Sequence, residues 1–270
     1  AIHHDGSVMD NFPISLNGKM LVGPALGEIE NDNIMYIVVC TWDEKIYAFD
    51  YLGNMKPGFP FVSTFRFNTP ATLVDLDFDG DLEIIAGNDL GTLHVLHHDG
   101  SEMATFDTGD DIRGGISVGD INDDGVYEIL FSGYDDMVHV WDPLNNVEIQ
   151  GWPFNMSSNS LTEPLTADLD GDGDLEIIAA KKSGVLYVLH HNGELYNDFP
   201  MNVSGLIEAT PAIADIDGDL DYEIIIPTTI GLKVIDIKSE KGNRDSWKLH
   251  RGDNYRSGHL SVVQVSNVHF

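Results

Sequence analysis

The chain has 270 residues, 42 % of them hydrophobic, which is enough to bury a large core and suits one domain. Its formal net charge of −31, from 45 acidic against 14 basic residues, argues against nucleic acid and anionic membranes as partners. There is no run of about 20 apolar residues that would argue for membrane insertion, and Cys40, the only cysteine, leaves no internal disulfide and reads as a packed thiol.

In chain order the first mark is Ile2-His3-His4-Asp5-Gly6, an apolar strand end followed by a hairpin-turn signal. It recurs as Val95-Leu96-His97-His98-Asp99-Gly100 and Val188-Leu189-His190-His191-Asn192-Gly193. The second mark is an aromatic residue, mostly before proline, at Phe12, Phe59, Phe106, Trp152, Phe199 and Trp247, with steps of 46 to 48. Proline there suits an edge strand, which can spare a ladder N–H.

The third mark is acidic. After a degenerate stretch at Glu28–Tyr36 come Asp75-Leu76-Asp77-Phe78-Asp79-Gly80-Asp81-Leu82-Glu83 and Asp120-Ile121-Asn122-Asp123-Asp124-Gly125-Val126-Tyr127-Glu128. Asp168-Leu169-Asp170-Gly171-Asp172-Gly173-Asp174-Leu175-Glu176 and Asp215-Ile216-Asp217-Gly218-Asp219-Leu220-Asp221-Tyr222-Glu223 complete the set. Their first positions are 45, 48 and 47 residues apart. Oxygens from side chains at positions 1, 3, 5 and 9, and from the carbonyl at position 7, suit a hard cation that takes six to eight oxygen ligands, which is calcium. Glycine at position 6 permits the sharp turn in three copies, so the copy with Leu220 is expected to be the most distorted. The closing acid lies at position 9, not 12, and β-rich runs such as Ile84-Ile85-Ala86 follow it, so these loops join strands and are not EF-hands. In the degenerate copy Tyr36 replaces the closing acid, and weak or absent metal binding is expected.

Three marks with one period predict an all-β chain of four-stranded units, the blades of a β-propeller. In the second unit the strands are predicted at Ala71–Asp75, Glu83–Gly87, Thr92–His97 and Glu102–Phe106. Blades are expected at 15–60, 61–107, 108–154, 155–201 and 202–250. A partial blade at 1–14 precedes them, and a tail at 251–270 that could supply a closing strand follows. Five complete blades point to a closed ring of six or seven, possessed by this chain alone or completed by a larger protein, because an open end exposes an apolar sheet face.

The pattern Asp-x-Asp-x-Asp-Gly-x-x-Glu within such a repeat resembles the FG-GAP/VCBS family, which is similar to the propellers of integrin α-subunits. The resemblance covers about residues 23–242. It implies that Asp75, Asp77, Asp79, Asp81 and Glu83 form one calcium set, with Asp120, Asn122, Asp124, Val126 and Glu128 a second. Asp168, Asp170, Asp172, Asp174 and Glu176 form the third, and Asp215, Asp217, Asp219, Asp221 and Glu223 the fourth. About four structural Ca²⁺ ions are therefore expected. It also implies an extracellular, adhesive or accessory module of a larger secreted or surface protein. At tenfold excess over Kd each ion would add about 1.4 kcal/mol and four about 6 kcal/mol, comparable to the whole net stability of a domain.

Residues spread around a ring cannot converge on one substrate, so the histidine pairs predict no catalysis. No G-x-S-x-G, P-loop, Cys-x-x-Cys or His-Glu-x-x-His pattern occurs. The expected role is thus non-catalytic binding of a protein or glycan, and the alternative is a polysaccharide lyase or hydrolase on the same scaffold. A ligand surface is expected on the face opposite the acidic loops, carrying Trp42, Arg66, Phe67, Arg113, Tyr134, Lys181 and Lys182. Arg251-Gly252-Asp253 matches a tripeptide that many integrins bind and reads here as strand-end structure.

Overall fold

The computed structural model describes residues 1–244, 246–253 and 256–260. Five antiparallel sheets follow one another along the chain, and no helix occurs among the described residues. Blade 1 comprises β1 (Ala25–Gly27), β2 (Tyr36–Cys40), β3 (Lys45–Asp50) and β4 (Phe61–Val62). Blade 2 comprises β5 (Thr72–Val74), β6 (Glu83–Gly87), β7 (Thr92–Leu96) and β8 (Glu102–Asp107). In blade 3, β9 (Ser117–Gly119), β10 (Glu128–Ser132) and β11 (Met137–Asp142) are followed by β12 (Val147–Glu148) and β13 (Phe154–Asn155), both paired with β11. Blade 4 has β14 (Leu165–Ala167), β15 (Glu176–Lys181), β16 (Val185–Leu189) and β17 (Met201–Asn202). Blade 5 has only three strands, β18 (Ala212–Ala214), β19 (Glu223–Thr228) and β20 (Gly231–Asp236).

The all-β, four-stranded expectation holds for blades 1, 2 and 4, while blade 3 splits its outer strand into β12 and β13, and two corrections follow. The aromatic-proline pairs at 59–60, 152–153 and 199–200 precede the outer strand and do not end it. Strands β4, β13 and β17 therefore begin at or cross the expected boundaries at 60, 154 and 201. The fifth unit also lacks a fourth strand among the described residues, because the chain beyond Asp236 turns toward the centre.

The second strands of blades 2, 3 and 4 are buried on both faces, which explains their unbroken apolar runs. Alternate side chains enter different cores. Ile84 and Ala86 pack with Val38, Cys40 and Ile46 of blade 1, while Ile85 packs with Val118, Ile129 and Phe131 of blade 3. Ile177 and Ala179 face Leu130 and Val140 of blade 3, while Ile178 and Ala180 face Ile213, Ile224 and Ile226 of blade 5. Full burial of such a side chain is worth about 1.5–3 kcal/mol. Cys40 lies in the first of these cores, and burial pushes its thiol up to about 12, as expected of packing and not reactivity.

The far face of blade 5 is different: Leu232 and Val234 remain 65 % and 49 % exposed. At the other end Phe12, Ile14, Leu16 and Met20 line a cavity of about 200 Å³ with Ile37, Val39 and Phe49 of blade 1. The described residues thus hold five sheets and an N-terminal hairpin bridged at Ile2 and Val8.

Residues 247–253 and 256–260 occupy the centre. The amides of Leu26, Leu73, Thr166 and Ile213, each the middle residue of an innermost strand, donate to the carbonyls of Ser257, Gly258, Trp247 and Lys248. Free inner-edge groups of four blades are satisfied in this way. Trp247 is fully buried, and its indole N–H donates to Glu163 at 2.6 Å. Of the tail at 251–270, expected as a possible closing strand, the described part lies against the innermost strands of blades 1 and 2, with His259 bridged to Leu73; residues 261–270 lie outside the described residues. Arg251-Gly252-Asp253 belongs to this plug. Arg251 is 5 % exposed and donates to the carbonyls of Pro24, Ser257 and Arg256, while Asp253 accepts from Ser257 N and Oγ.

Candidate metal loops and the opposite face

The acidic loops connect the first and second strands of blades 2 to 5, and one hydrogen-bond scheme builds all four. The closing glutamate starts the second strand, is buried, and accepts the amide of loop position 2 on Oε2. These bonds are Leu76 N to Glu83 at 2.9 Å, Ile121 N to Glu128 at 3.0 Å, Leu169 N to Glu176 at 2.8 Å and Ile216 N to Glu223 at 2.6 Å. Amides further along bond the side chains at positions 1, 3 and 5, as in Gly80 N to Asp75, Asp79 N to Asp77 and Asp81 N to Asp79. The same bonds form at Asp120, Asn122 and Asp124; in blades 4 and 5 positions 3 and 5 are bonded alike, while Asp168 and Asp215 accept from position 4, Gly171 N and Gly218 N. These amides curl the chain so that the side-chain oxygens face inward. Donor oxygens of Asp75, Asp77 and Asp79 lie within 4.8 Å of one another, as do those of Asp168, Asp170 and Asp172 and those of Asp215, Asp217 and Glu223. Position 7 holds Asp81, Val126, Asp174 or Asp221, placed by its own amide bond to position 5.

Two physical signs mark these loops as short of positive charge. Burial first, then the neighbouring aspartates, pushes Glu83, Glu128 and Glu176 up to about 8. Buried oxygens Asp75 Oδ1, Asp221 Oδ1 and Glu223 Oε1 have no hydrogen-bond donor, although Glu223 is only 3 % exposed. An orphaned buried carboxylate oxygen is costly unless a cation meets it, so the donor set fits a divalent ion.

The loop with Leu220 keeps this scheme. Leu220 takes φ 78°, in the left-handed region that Gly80, Gly125 and Gly173 occupy at 97°, 85° and 101°. The expected distortion appears as backbone strain at one residue and not as a changed turn. The degenerate loop of blade 1 is closed by protein groups: Asn33 N bonds Glu28, the Tyr36 hydroxyl donates to Asp32, and Lys56 pairs with Glu30.

Sequence reasoning missed what stands beside each loop. The residue across from the closing acid, where the register of the second and third strands runs out, is His97, Asp142, His190 or Asp236 in blades 2 to 5; Asp142 and Asp236 end their strands, and His97 and His190 directly follow theirs. His97 Nδ1 lies 3.5 Å from Glu83 Oε1, and His190 Nδ1 lies 3.2 Å from Glu176 Oε1. The second histidines reach position 7, His98 to Asp81 at 3.2 Å and His191 to Asp174 at 2.9 Å. Blades 3 and 5 use distant cations instead. Arg244 reaches Asp120 at 3.2 Å and Asp123 at 3.3 Å, Lys241 pairs with Asp215, and Lys238 pairs with Asp236 and lies 3.6 Å from Asp219. The regular recurrence of the His-His pairs was the available signal; Lys238, Lys241 and Arg244 fall outside the repeat.

On the opposite face, four of the seven residues expected there come together. Arg66 lies 4.7 Å over the Trp42 ring and pairs with Asp89 at 2.6 Å. Arg113 lies 5.2 Å over Tyr134, pairs with Asp111 at 2.7 Å and lies 3.4 Å from Asp89. Asn68 ties Trp42 Nε1 to Asp89. Lys181 and Lys182 are placed elsewhere, on Met156 O and beside Glu208, and Phe67 is a core residue. Asp89 and Asn68, which organise the cluster, gave no periodic signal.

No protein family profile and no curated protein matches this chain. Solved structures do. The V. cholerae biofilm matrix protein Bap1 is similar over 86 % of this chain and 40 % of its own, with TM-score 0.61 and 20 % identity. BBS1N, solved in complex with ARL6DN, is similar over 81 % of this chain and 66 % of its own, with TM-score 0.57 and 15 % identity. The computationally designed Ika8 protein matches over 84 % of this chain and 62 % of its own, with TM-score 0.55 and 16 % identity. The chain therefore spans from two fifths to just under two thirds of the length of these structures. At such identities the likeness speaks for architecture alone, and with the five stacked sheets it makes this chain a β-propeller.

Proposed function

We propose that this chain is a calcium-stabilised β-propeller of the FG-GAP/VCBS kind, acting outside the cell as a non-catalytic adhesion or binding module of a larger secreted or surface protein. The observation that carries the reading is the repeated loop in which buried oxygens such as Glu223 Oε1 and Asp75 Oδ1 have no donor. Asp75, Asp77, Asp79 and Glu83, with the position-7 carbonyl, would hold one ion, and the corresponding residues of the other loops three more. Calcium there supplies positive charge and oxygen coordination, and its role is structural. Extracellular modules bind calcium with Kd of roughly 10⁻⁴–10⁻³ M, which matches a calcium-rich exterior and not a cytosol. The similarity to a biofilm matrix protein supports adhesion, and that to a propeller solved with a protein partner supports a protein ligand.

The ligand surface in this reading is the cluster of Trp42, Arg66, Arg113 and Tyr134, where aromatic rings and guanidinium groups suit a protein or glycan. The test has two arms. Calorimetry with and without EDTA is expected to show a large calcium-dependent rise in Tm; an unchanged Tm, with no calcium retained on dialysis, rejects the stabilising role. Glycan and extracellular-protein arrays are then probed with the wild type and with Trp42→Ala/Arg66→Ala. Loss of the bound hits in the variant is expected, and unchanged affinity for every hit rejects the surface.

A further inference from the structure

The loops of blades 2 and 4 differ chemically from those of blades 3 and 5, because each places an imidazole nitrogen against the carboxylates. One ligand atom each from Asp77, Glu83 and His97 lies within 4.8 Å of the others, and the same holds for Asp170, Glu176 and His190. The arrangement arises twice, from separate stretches of chain, and from one cause. The closing glutamate begins the second strand, the histidine directly follows the third, and antiparallel pairing of Ile84 with Leu96 and of Ile177 with Leu189 sets them side by side. Glu83 and Glu176 are buried, each spends Oε2 on a backbone amide, and each turns Oε1 to the histidine. In the blade 2 loop the orphaned Asp75 Oδ1 lies in the same acidic turn. Asp142 and Asp236 occupy the histidine position in blades 3 and 5 and offer oxygen only.

We infer that the loops of blades 2 and 4 are mixed nitrogen–oxygen sites that accept a borderline divalent ion of the zinc class, through Asp77, Glu83 and His97 and through Asp170, Glu176 and His190. Imidazole nitrogen favours Zn²⁺, Ni²⁺ and Co²⁺ over Ca²⁺, whereas carboxylate and carbonyl oxygen alone suit Ca²⁺. Two carboxylates and one histidine form a ligand set that zinc accepts at about 2.0–2.2 Å, with remaining positions open to water or to a partner's side chain. Donor atoms within 4.8 Å of one another place the two carboxylates and the imidazole around one position that such an ion could take. Blades 3 and 5, all-oxygen and flanked by Arg244, Lys238 and Lys241, lack this preference.

This inference rests on the acidic loops being metal sites, and the experiment separates the two. Metal-free protein is titrated with Zn²⁺ and with Ca²⁺ by calorimetry at one pH, and the bound metal is counted after dialysis. Co²⁺ absorption serves as a reporter of nitrogen ligation. The wild type is expected to bind two equivalents of Zn²⁺ at least tenfold more tightly than Ca²⁺, with about four Ca²⁺ bound in the absence of zinc. His97→Ala/His190→Ala is expected to lose the two tight zinc equivalents and the nitrogen-type Co²⁺ spectrum while its calcium stoichiometry stays at about four. His3→Ala/His4→Ala, which alters the one pair without an acidic loop, is expected to keep both tight equivalents. Calcium binding without tight zinc, or tight zinc that survives in His97→Ala/His190→Ala, overturns this inference and leaves the calcium loops standing. Absence of any divalent binding removes both.

Discussion

Blades 2 and 4 solve one electrostatic problem differently from blades 3 and 5. Every loop crowds four or five oxygen-bearing side chains around a buried glutamate. In blades 2 and 4 the residue across from that glutamate is His97 or His190, a neutral or positive neighbour carried by the same sheet. In blades 3 and 5 it is Asp142 or Asp236, a like charge directly opposite, which destabilises a strand pair. Those two loops draw their positive charge from the return segment of the chain, through Lys238, Lys241 and Arg244. The comparison teaches that the repeat conserves the turn and lets the source of compensating charge vary from blade to blade.

Removing the metal from all four loops should have the largest effect. At tenfold calcium excess, four sites contribute about 6 kcal/mol, so EDTA should lower Tm by on the order of 15 °C in scanning calorimetry. The single-loop variants Glu83→Gln and Glu128→Gln should each lose about one quarter of that calcium response; retention of the full response would detach the glutamate from its loop. Next in size is the removal of borrowed charge. Lys241→Met and Arg244→Met should lower the Tm of the chelated protein by about 2–4 °C, with the gap narrowing once calcium is restored. Equal shifts with and without calcium would show that these cations brace the return segment and not the loops.

A smaller gain is expected from Leu220→Gly, which relieves the left-handed backbone and should stabilise the protein by up to about 1 kcal/mol in denaturant unfolding. The smallest expected effect is a pH control away from the loops. His139 lies between Asp135 at 2.6 Å and Glu148 at 2.5 Å; burial opposes its charging, but these hydrogen bonds outweigh it and raise its pKa above the ordinary histidine value. Its contribution is therefore fully present below about pH 6.5 and is lost as pH rises through the elevated folded value. His139→Gln should flatten that part of the stability profile, and an NMR titration of the ring protons should report the elevated midpoint.

The architecture was legible because its signals are local and repeated. In blade 2 the strands expected at Ala71–Asp75, Glu83–Gly87, Thr92–His97 and Glu102–Phe106 are found at Thr72–Val74, Glu83–Gly87, Thr92–Leu96 and Glu102–Asp107. The acidic turns were equally visible, since positions 1, 3, 5 and 9 are read directly from spacing. The histidine beside each glutamate was within reach of a register argument, as counting back from the turn after β6 sets Glu83 against His97. What could not be read were contacts between blades far apart in sequence. Asp89 linking Arg66 to Arg113 is one, and Glu163 holding Trp247, His250 and the amide of Arg251 is another. Such pairs follow from closure of a three-dimensional arrangement, and no periodicity announces them. Lys181 and Lys182 keep the expected position where β15 ends and the connection after it begins, but their neighbours, Met156 O and Glu208, are not those of Arg66 and Arg113.

The axial segment also sets an order of assembly. Blades of this kind can stack one on the next as neighbours along the chain become available. Yet Arg251 reaches back 227 residues to the carbonyl of Pro24, and Leu26 waits for Ser257 before its amide is satisfied. Contacts of such long sequence separation form late and slow the final step. A nascent chain stopped short of Trp247 would therefore be a string of spokes with no hub, vulnerable to proteolysis along its innermost edges until the segment that begins at Trp247 arrives and ties them together.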